Sequence, residues 1–416
     1  MRDYLPPRLR VTTEALDEPA DLLELLPAGP VMSWVRNGDG LIAWGEAARV
    51  EVTGQERFSR AHRWWTQICD AAEVVDDVRV PGSGPVAFGS FTFADGPQTS
   101  ALIVPRVIVG RRHGKAWLTL IGDSVPRPDL LHLPDLPAPP GVVTEVPDAP
   151  RARAWRRAVA EAVAKVRAGG LDKVVLARDV LLRSERRIDP RFVLRQLQTA
   201  YPECWTFSVD GLVGATPELL VRRTGAQVVS RVLAGTVHRD GDSAADGELA
   251  AALMSSDKDL VEHLYAVESV AAALARHCTD LQVPTSPSLL QLANVQHLAT
   301  DVSGLLADDS SAIALAAALH PTAAVCGTPT ERAMSVIGSL EGMDRGRYAG
   351  PVGWVDGEGD GEFGIALRCG ALTPDQHGIR LMAGCGIVAA STPDAEWAES
   401  EAKLMAMRTA LGVAVS

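Results

Sequence analysis

The sequence predicts a fold that mixes β-strands and α-helices, and three observations carry that reading. Apolar runs rich in β-branched residues stand between turn signals such as Asn37-Gly38-Asp39-Gly40. Other stretches repeat apolar residues at helical spacing, stop at glycine or begin beside proline. The chain has 416 residues, 47% apolar and 22% charged, an ordinary globular balance long enough for one large core or several smaller ones.

Residues 1–145 read as mixed α/β. Residues 29–44 form a β-hairpin, two apolar runs around Asn-Gly-Asp-Gly. Residues 57–74 have helical spacing, with Trp64, Trp65 and Ile68 on the core side. Residues 86–93, 101–109 and 117–121 read as strands, and Pro105 marks an edge or a bend in the second. The Pro-rich run 126–150 connects this part to residues 146–416.

Within 152–168, Trp155, Val159, Val163 and Val166 recur at helical spacing, and Gly169-Gly170 stop the helix. Residues 171–182 form a strand with Lys173 at its start. Lys173 is either a snorkelling edge residue or a desolvated amine fit to act as a base. A hairpin over 205–214 leads to Glu218, either a plain strand-entry residue or, if buried, a carboxyl able to donate a proton. The strand 230–238 ends in a Gly235-Thr236 turn whose N–H groups and hydroxyl suit a carboxylate.

Residues 255–278 form a helix with the stripe Leu260, Leu264, Val267, Ala271 and Leu274. Asp259, Glu262 and Ser269 occupy another face, which is either solvated or a source of hard oxygen ligands for Mg²⁺. His297 lies inside the strand 292–300, as a satisfied core histidine or a ligand contact. Clustered Gly and Pro over 320–330 and 341–354 fix turns and let backbone approach a ligand. Arg368 closes an apolar run and needs an anion, in a structural ion pair or in a ligand. Residues 379–390 form a strand interrupted by Gly384 and Gly386, which present bare N–H groups. A last helix begins near Pro393 and sets Glu396, Glu399 and Lys403 on one face, where Glu399 and Lys403 alone would make an ordinary i,i+4 surface pair.

The net charge of −12 argues against a nucleic-acid partner. The six cysteines form no Cys-x-x-Cys pair and read as reduced, mostly buried thiols of a cytosolic protein. The first ten residues lack an apolar h-region, so no signal peptide is expected, and no apolar run is long enough for a bilayer.

One set of segments resembles a known family in both order and spacing. It comprises Lys173-Val-Val-Leu-Ala-Arg178, Thr216-Pro-Glu-Leu219, Leu233-Ala-Gly-Thr236, Lys258-Asp-x-x-Glu-His263, Val295-Gln-His-Leu298, Cys326-Gly-Thr-Pro329, Asp344-Arg-Gly-Arg-Tyr-Ala-Gly-Pro-Val-Gly353, Arg368, Ala383-Gly-Cys-Gly-Ile-Val388 and Glu396-x-x-Glu-x-x-x-Lys403. The family is that of the chorismate-utilising enzymes, which includes isochorismate, salicylate, anthranilate and aminodeoxychorismate synthases. The resemblance implies an α+β fold: large antiparallel β-sheets packed as a sandwich with helices on the outside, completed by the more variable residues 1–145. It implies Mg²⁺ held by Glu262, Glu396 and Glu399, with Asp259 nearby, against the ring carboxylate of chorismate. Gly235 and Thr236 would line that end, and His297 would face the ring. Tyr348, Arg368, the Gly384 and Gly386 amides and Lys403 would hold the enolpyruvyl carboxylate. Chorismate is a dianion, so an acidic protein needs such an internal cluster of positive charge.

A few positions separate the branches of the family. Ala234 stands where bacterial aminodeoxychorismate synthases carry a nucleophilic lysine, and Lys173 where anthranilate synthases have glutamine. Ala324 stands where anthranilate and salicylate synthases carry threonine. With Cys326-Gly-Thr-Pro329, these positions resemble the isochorismate synthases. Met343, where an aromatic is commoner, and Val237-His-Arg-Asp240 depart from the pattern. The implied reaction is reversible: Lys173 activates water for C2 and Glu218 protonates the hydroxyl leaving C4. Salicylate synthesis by further pyruvate elimination, and a non-catalytic chorismate-binding regulator, are the alternatives. The resemblance leaves menaquinone and siderophore biosynthesis both open. It also implies no glutamine amidotransferase subunit; the cysteine usage reads as cytoplasmic, and with no long coiled coil or wide exposed apolar stripe the chain reads as a monomer.

Overall fold

The computed structural model describes residues 7–17, 19, 21–239, 243–292 and 295–413; the side chains of Thr236, His238, Ser243, Ala244, Lys258 and Glu262 lie outside that description. Several strands are buried along their whole length, among them Val86–Ser90, Ser100–Val104, Trp205–Val209, Leu212–Thr216 and Gly361–Ile365. Continuous burial means that both faces of a strand are covered. Here two large sheets cover each other on their inner faces and helices cover the outer ones.

Among the described residues the first sheet has 13 strands. In spatial order they are Val143–Glu145, Lys173–Ser184, Gly378–Ile387, Cys369–Leu372, Leu212–Thr216, Trp205–Val209, Val31–Arg36, Asp39–Trp44, Val107–Arg112, Lys115–Ile121, Arg10–Leu16 and Glu73–Asp76, with Gly327–Thr328 beside Lys173–Ser184. The second sheet has 10. It runs Cys278–Gln282, Val295–Leu306, Gln227–His238, Leu219–Thr224, Gly361–Ile365, Pro351–Asp356, Val86–Ser90, Ser100–Val104 and Ala48–Val52, with Ser288–Gln291 on Val295–Leu306. Among the described pairs all are antiparallel except Arg10–Leu16 with Glu73–Asp76. Both sheets therefore mix strands from before and after residue 145, as an α+β sandwich. Trp34, Phe88, Phe91, Phe207 and Phe363 are fully buried in its core.

Three elements differ from expectation. The helix expected over 57–74 is Arg57–Ala71, and Val74 lies 45% exposed on the parallel edge strand. The run 101–109 is two strands in different sheets, so Pro105 is a corner between layers. The helix expected over 255–278 is Asp257–Leu274, and its buried face is His263, Ala266, Val267, Val270 and Leu274, whereas Leu264 is 52% exposed. His263 Nε2 lies 2.7 Å from Thr300 Oγ1, and that contact with the strand beneath sets the helix rotation.

Candidate active site

The site begins where the first sheet opens. Lys173–Ser184 and Gly378–Ile387 pair without interruption from Val174↔Ile387 to Arg183↔Gly378. Ala177 N–H donates to Glu341 Oε1 at 2.7 Å and Val175 N–H to Cys326 O at 2.8 Å, away from their partners Gly384 and Gly386. An antiparallel ladder alternates, so the two glycines turn their own N–H and C=O groups to the opposite edge. On that side Cys369–Leu372 pairs with only the Ile379–Leu381 part of the strand, and Gly384 and Gly386 beyond it line a cleft. The expectation of an interrupted strand is thus corrected: shortness of the neighbour frees the amides. Gly384 also leaves necessary space, since a Cβ there would lie 3.2 Å from Val175 Cγ1 and 3.5 Å from Tyr348 Oη.

Two crossings of the chain between sheets form the floor. Leu212–Thr216 belongs to the first sheet and Leu219–Thr224 to the second, so Pro217-Glu218 is the link that changes layers. Gly361–Ile365 and Cys369–Leu372 are joined the same way through Arg368, at φ +47°. Both polar side chains therefore stand at the junction of the layers, a place that the apolar runs around them conceal.

The second sheet supplies the opposite wall. Gly235, at φ +73°, sits in a bulge between Ala234 and Thr236. The strand reaches His238 as expected, but Gly235-Thr236 is a bulge inside it rather than a turn. The bulge brings Gly235 O to 3.3 Å from His297 Nδ1. A Cβ on Gly235 would lie 3.3 Å from that of Asp259, on the helix Asp257–Leu274. The helix Pro393–Ala410, capped by Thr392, closes the remaining side with Glu396, Glu399 and Lys403. The cleft between these walls has a cavity volume of about 200 Å³.

Charge and burial set the protonation states. Burial pushes the Glu218 carboxyl up to about 8, against the pull of Lys173 and Arg368. Burial, with Arg368 and Lys403, lowers His297 to about 3, so the imidazole is neutral at ordinary pH. Burial raises the Tyr348 phenol to about 12. For Glu399, burial would raise the carboxyl, but Lys403 and Arg368 hold it below the usual range. Lys403 Nζ lies 2.6 Å from Glu399 Oε1 and donates to Gly384 O at 2.9 Å. The amine thus ties the acidic helix to the open strand edge, rather than forming a loose surface pair.

Glu396, Glu399 and Cys385 place their ligand atoms within 4.8 Å of one another. Burial raises the Cys385 thiol well above its ordinary value, which keeps it protonated. The available donors are therefore carboxylate oxygens, with Asp259 across the cleft. Such a donor set fits a hard cation such as Mg²⁺.

Lys173, Glu218, Gly235, Asp259, His297, Ala324, Tyr348, Arg368, Gly384, Gly386, Glu396, Glu399 and Lys403 all line this single cleft. Glu262 lies in the helix Asp257–Leu274 and Thr236 in the strand Gln227–His238, but their side chains are outside the described residues. Sequence reasoning missed the apolar walls Val175, Leu233, Val325 and Leu367, which look like any core position. It also gave no role to Arg345, although Arg345 lies in the segment that supplies Tyr348.

The chain belongs to the chorismate binding enzyme family, whose pattern matches residues 26–125 and 132–412. Within that family it is similar to isochorismate synthases. It is 42% identical over 276 residues to isochorismate synthase DhbC of Bacillus subtilis, covering 64% of this chain and 69% of that one. It is 35% identical over 431 residues to the salicylate biosynthesis isochorismate synthase of Pseudomonas aeruginosa, covering 95% and 88%. Among solved structures it resembles MenF, the menaquinone-specific isochorismate synthase from Escherichia coli, with TM-score 0.79, 27% identity and coverage of 98% and 95%. Among the described residues no helix is long and apolar enough to cross a membrane.

Proposed function

We propose that the chain is an isochorismate synthase that converts chorismate reversibly to isochorismate. The observation that carries the reading is the pairing of buried Lys173 with a Glu218 carboxyl that stays protonated up to about pH 8, in one cleft with an internal cluster of positive charge. Lys173 takes a proton from water as the water oxygen bonds to C2 of chorismate. The ring double bond shifts, the C4–O bond breaks, and Glu218 gives its proton to the departing hydroxyl, which leaves as water. Each acid or base step contributes about 10²–10⁴ in rate.

Arg368, Lys403, the Tyr348 hydroxyl and the amides of Gly384 and Gly386 hold the enolpyruvyl carboxylate, and neutral His297 faces the ring. Glu396 and Glu399, with Asp259 and Glu262, would hold Mg²⁺ near the ring carboxylate, and Gly235 and Thr236 would line that end. When bound, the ion would supply positive charge to orient and neutralise the ring carboxylate. Ala324 keeps the wall beside the ring small. Use of water rather than ammonia requires no glutamine amidotransferase subunit, and we further propose that the protein is a cytoplasmic monomer.

The test is incubation of the protein with chorismate and MgCl₂, with products resolved by NMR. A chorismate–isochorismate mixture that forms only with Mg²⁺ is expected. Salicylate and pyruvate in quantity would overturn the product assignment, and bound but unchanged chorismate would place the chain among non-catalytic binders. Lys173→Ala and Glu218→Gln should each lose turnover by at least about 10²-fold while still binding chorismate. Either variant keeping most of the rate would sink the assigned roles.

A further inference from the structure

The loop that carries Ala324 is held to the Lys173 strand by two different devices. Near Lys173 it is a ladder: Asp172 N–H donates to Thr328 O and Val175 N–H to Cys326 O, each at 2.8 Å. The two-residue strand Gly327–Thr328 then ends, and the loop turns away to bring Ala324 and Val325 into the cleft. The backbone groups beyond that point need other partners. Arg345 and Glu341 supply them. The Arg345 guanidinium donates to Val325 O and to Val175 O, each at 2.8 Å, and also to the Glu341 carboxylate. Glu341 Oε1 in turn accepts the Ala177 N–H at 2.7 Å. The two side chains are only 3% and 1% exposed, and the Arg345 guanidinium lies 4.1 Å from the centre of the Phe93 ring. Arg345 O accepts the Tyr348 N–H at 3.0 Å.

Burying two charges is costly, and an apolar pair of the same volume would serve packing alone as well or better. This pair instead continues a ladder with side chains, across a gap whose other side is the cleft. We propose that the Glu341–Arg345 pair is a positioning device for the reaction: it fixes the separation between the Lys173 strand and the 324–326 loop, and with it the place where the Lys173 amine meets the substrate ring. The proposal rests on the isochorismate synthase reading for its chemistry. Neither residue acts on the reacting atoms directly; both act through Val175, Val325 and the strand that carries Lys173.

The experiment uses the full chain with MgCl₂ and chorismate, comparing wild type, Arg345→Met, Arg345→Lys, Glu341→Gln and the Glu341→Gln/Arg345→Met double variant. Arg345→Met should lower kcat by about 10²-fold through misplacement of the base, with KM changed by less than about threefold. Arg345→Lys should recover only part of the rate, because one ammonium does not span two carbonyls and a carboxylate in a plane. The double variant should lose no more than the worse single one, as expected for residues acting as a unit. A second readout needs no turnover. Cys326 is fully buried beside Val325, and it should become reactive to a thiol reagent in Arg345→Met while Cys369 stays protected. A kcat that drops only in step with the folded fraction, or a protected Cys326 in Arg345→Met, would overturn the proposal. Wild-type protein that leaves chorismate unchanged would instead overturn the functional reading, and the labelling would still decide on the brace.

Discussion

At the scale of single residues, Glu218 couples the reaction to pH in a direction fixed by its burial. Its carboxyl titrates at about 8 in the folded protein, against an ordinary 4.5. As the acid of the forward reaction it must be protonated, so kcat for chorismate should fall as pH rises through about 8; a rate constant from pH 6 to 9 would show the limb. The same shift has a stability side. Between 4.5 and 8 the native state holds a proton that the unfolded chain has released, so stability drops as pH rises through that window. Glu218→Gln cannot ionise and escapes the loss. Relative to wild type it should therefore gain stability between pH 5 and pH 8, on the order of a few kcal/mol, in paired denaturant melts. Gly235 gives a separate test. Its φ of +73° is strained for any side chain, and Gly235→Ala should lower stability by about 1–2 kcal/mol in urea melts. The sequence exposed both residues as candidates but not their states. The pKa of Glu218 depends on a layer change at Pro217-Glu218 that no local pattern announces, and the strain at Gly235 depends on a bulge against Val295–Leu306.

At the scale of elements, what was legible depended on whether the deciding interaction was local. The hairpin of Val31–Arg36 and Asp39–Trp44 was legible because Asn37 and Gly38 take φ +49° and +78°, the turn that Asn-Gly favours. The helix Ala149–Arg167 was legible because Trp155, Val159, Val163 and Val166 all face one core and Gly169-Gly170 end it at positive φ. The run 101–109 was not, since Pro105 signals a bend but not that the next strand joins the other sheet. The rotation of Asp257–Leu274 was likewise hidden, because it is fixed by Thr300 on a strand far along the chain. That helix and Pro393–Ala410 are the two that carry the carboxylates. The second is anchored by Trp397, whose ring lies 4.1 Å from the Arg156 guanidinium and 3.9 Å from that of Arg178, and by Arg178 Nε donating to Ser400 Oγ at 2.7 Å. If Mg²⁺ bridges the two helices as proposed, adding MgCl₂ should slow amide exchange in both at once, by about tenfold or more at their cleft-facing turns. Glu399→Gln should remove the effect from both, and protection confined to one helix would contradict a shared ion.

At the scale of the whole molecule, the cleft lies where the chain passes between the two sheets at Pro217-Glu218 and again at Arg368. The strand that leads into the second crossing also carries the polar contact that locks the sheets. Glu362, in the second sheet, accepts from Trp34 Nε1 at 2.9 Å, Trp205 Nε1 at 3.0 Å and Arg112 at 2.9 Å, all from the first sheet. Burial alone would raise its carboxyl, but Arg222, Arg112 and the two indoles hold it below the usual range. The folded pKa is thus below the unfolded 4.5, so the stabilisation is complete above that value and fades as pH falls through the folded one. Glu362→Gln keeps the shape but leaves Arg112 and Arg222 without their counter-charge, and its single amide oxygen can accept from the two indoles or from Arg112 but not from both sides. It should cost on the order of 3 kcal/mol at pH 7, and the gap from wild type should narrow in acid as wild-type Glu362 itself takes up a proton. Because Arg368 follows only six residues later at the crossing, the loss should reach the cleft as well. Across a urea titration the variant should lose chorismate affinity at a lower concentration than its far-UV dichroism, whereas wild type should lose both together. Parallel loss in the variant would mean that the inter-sheet lock stabilises the fold without shaping the site.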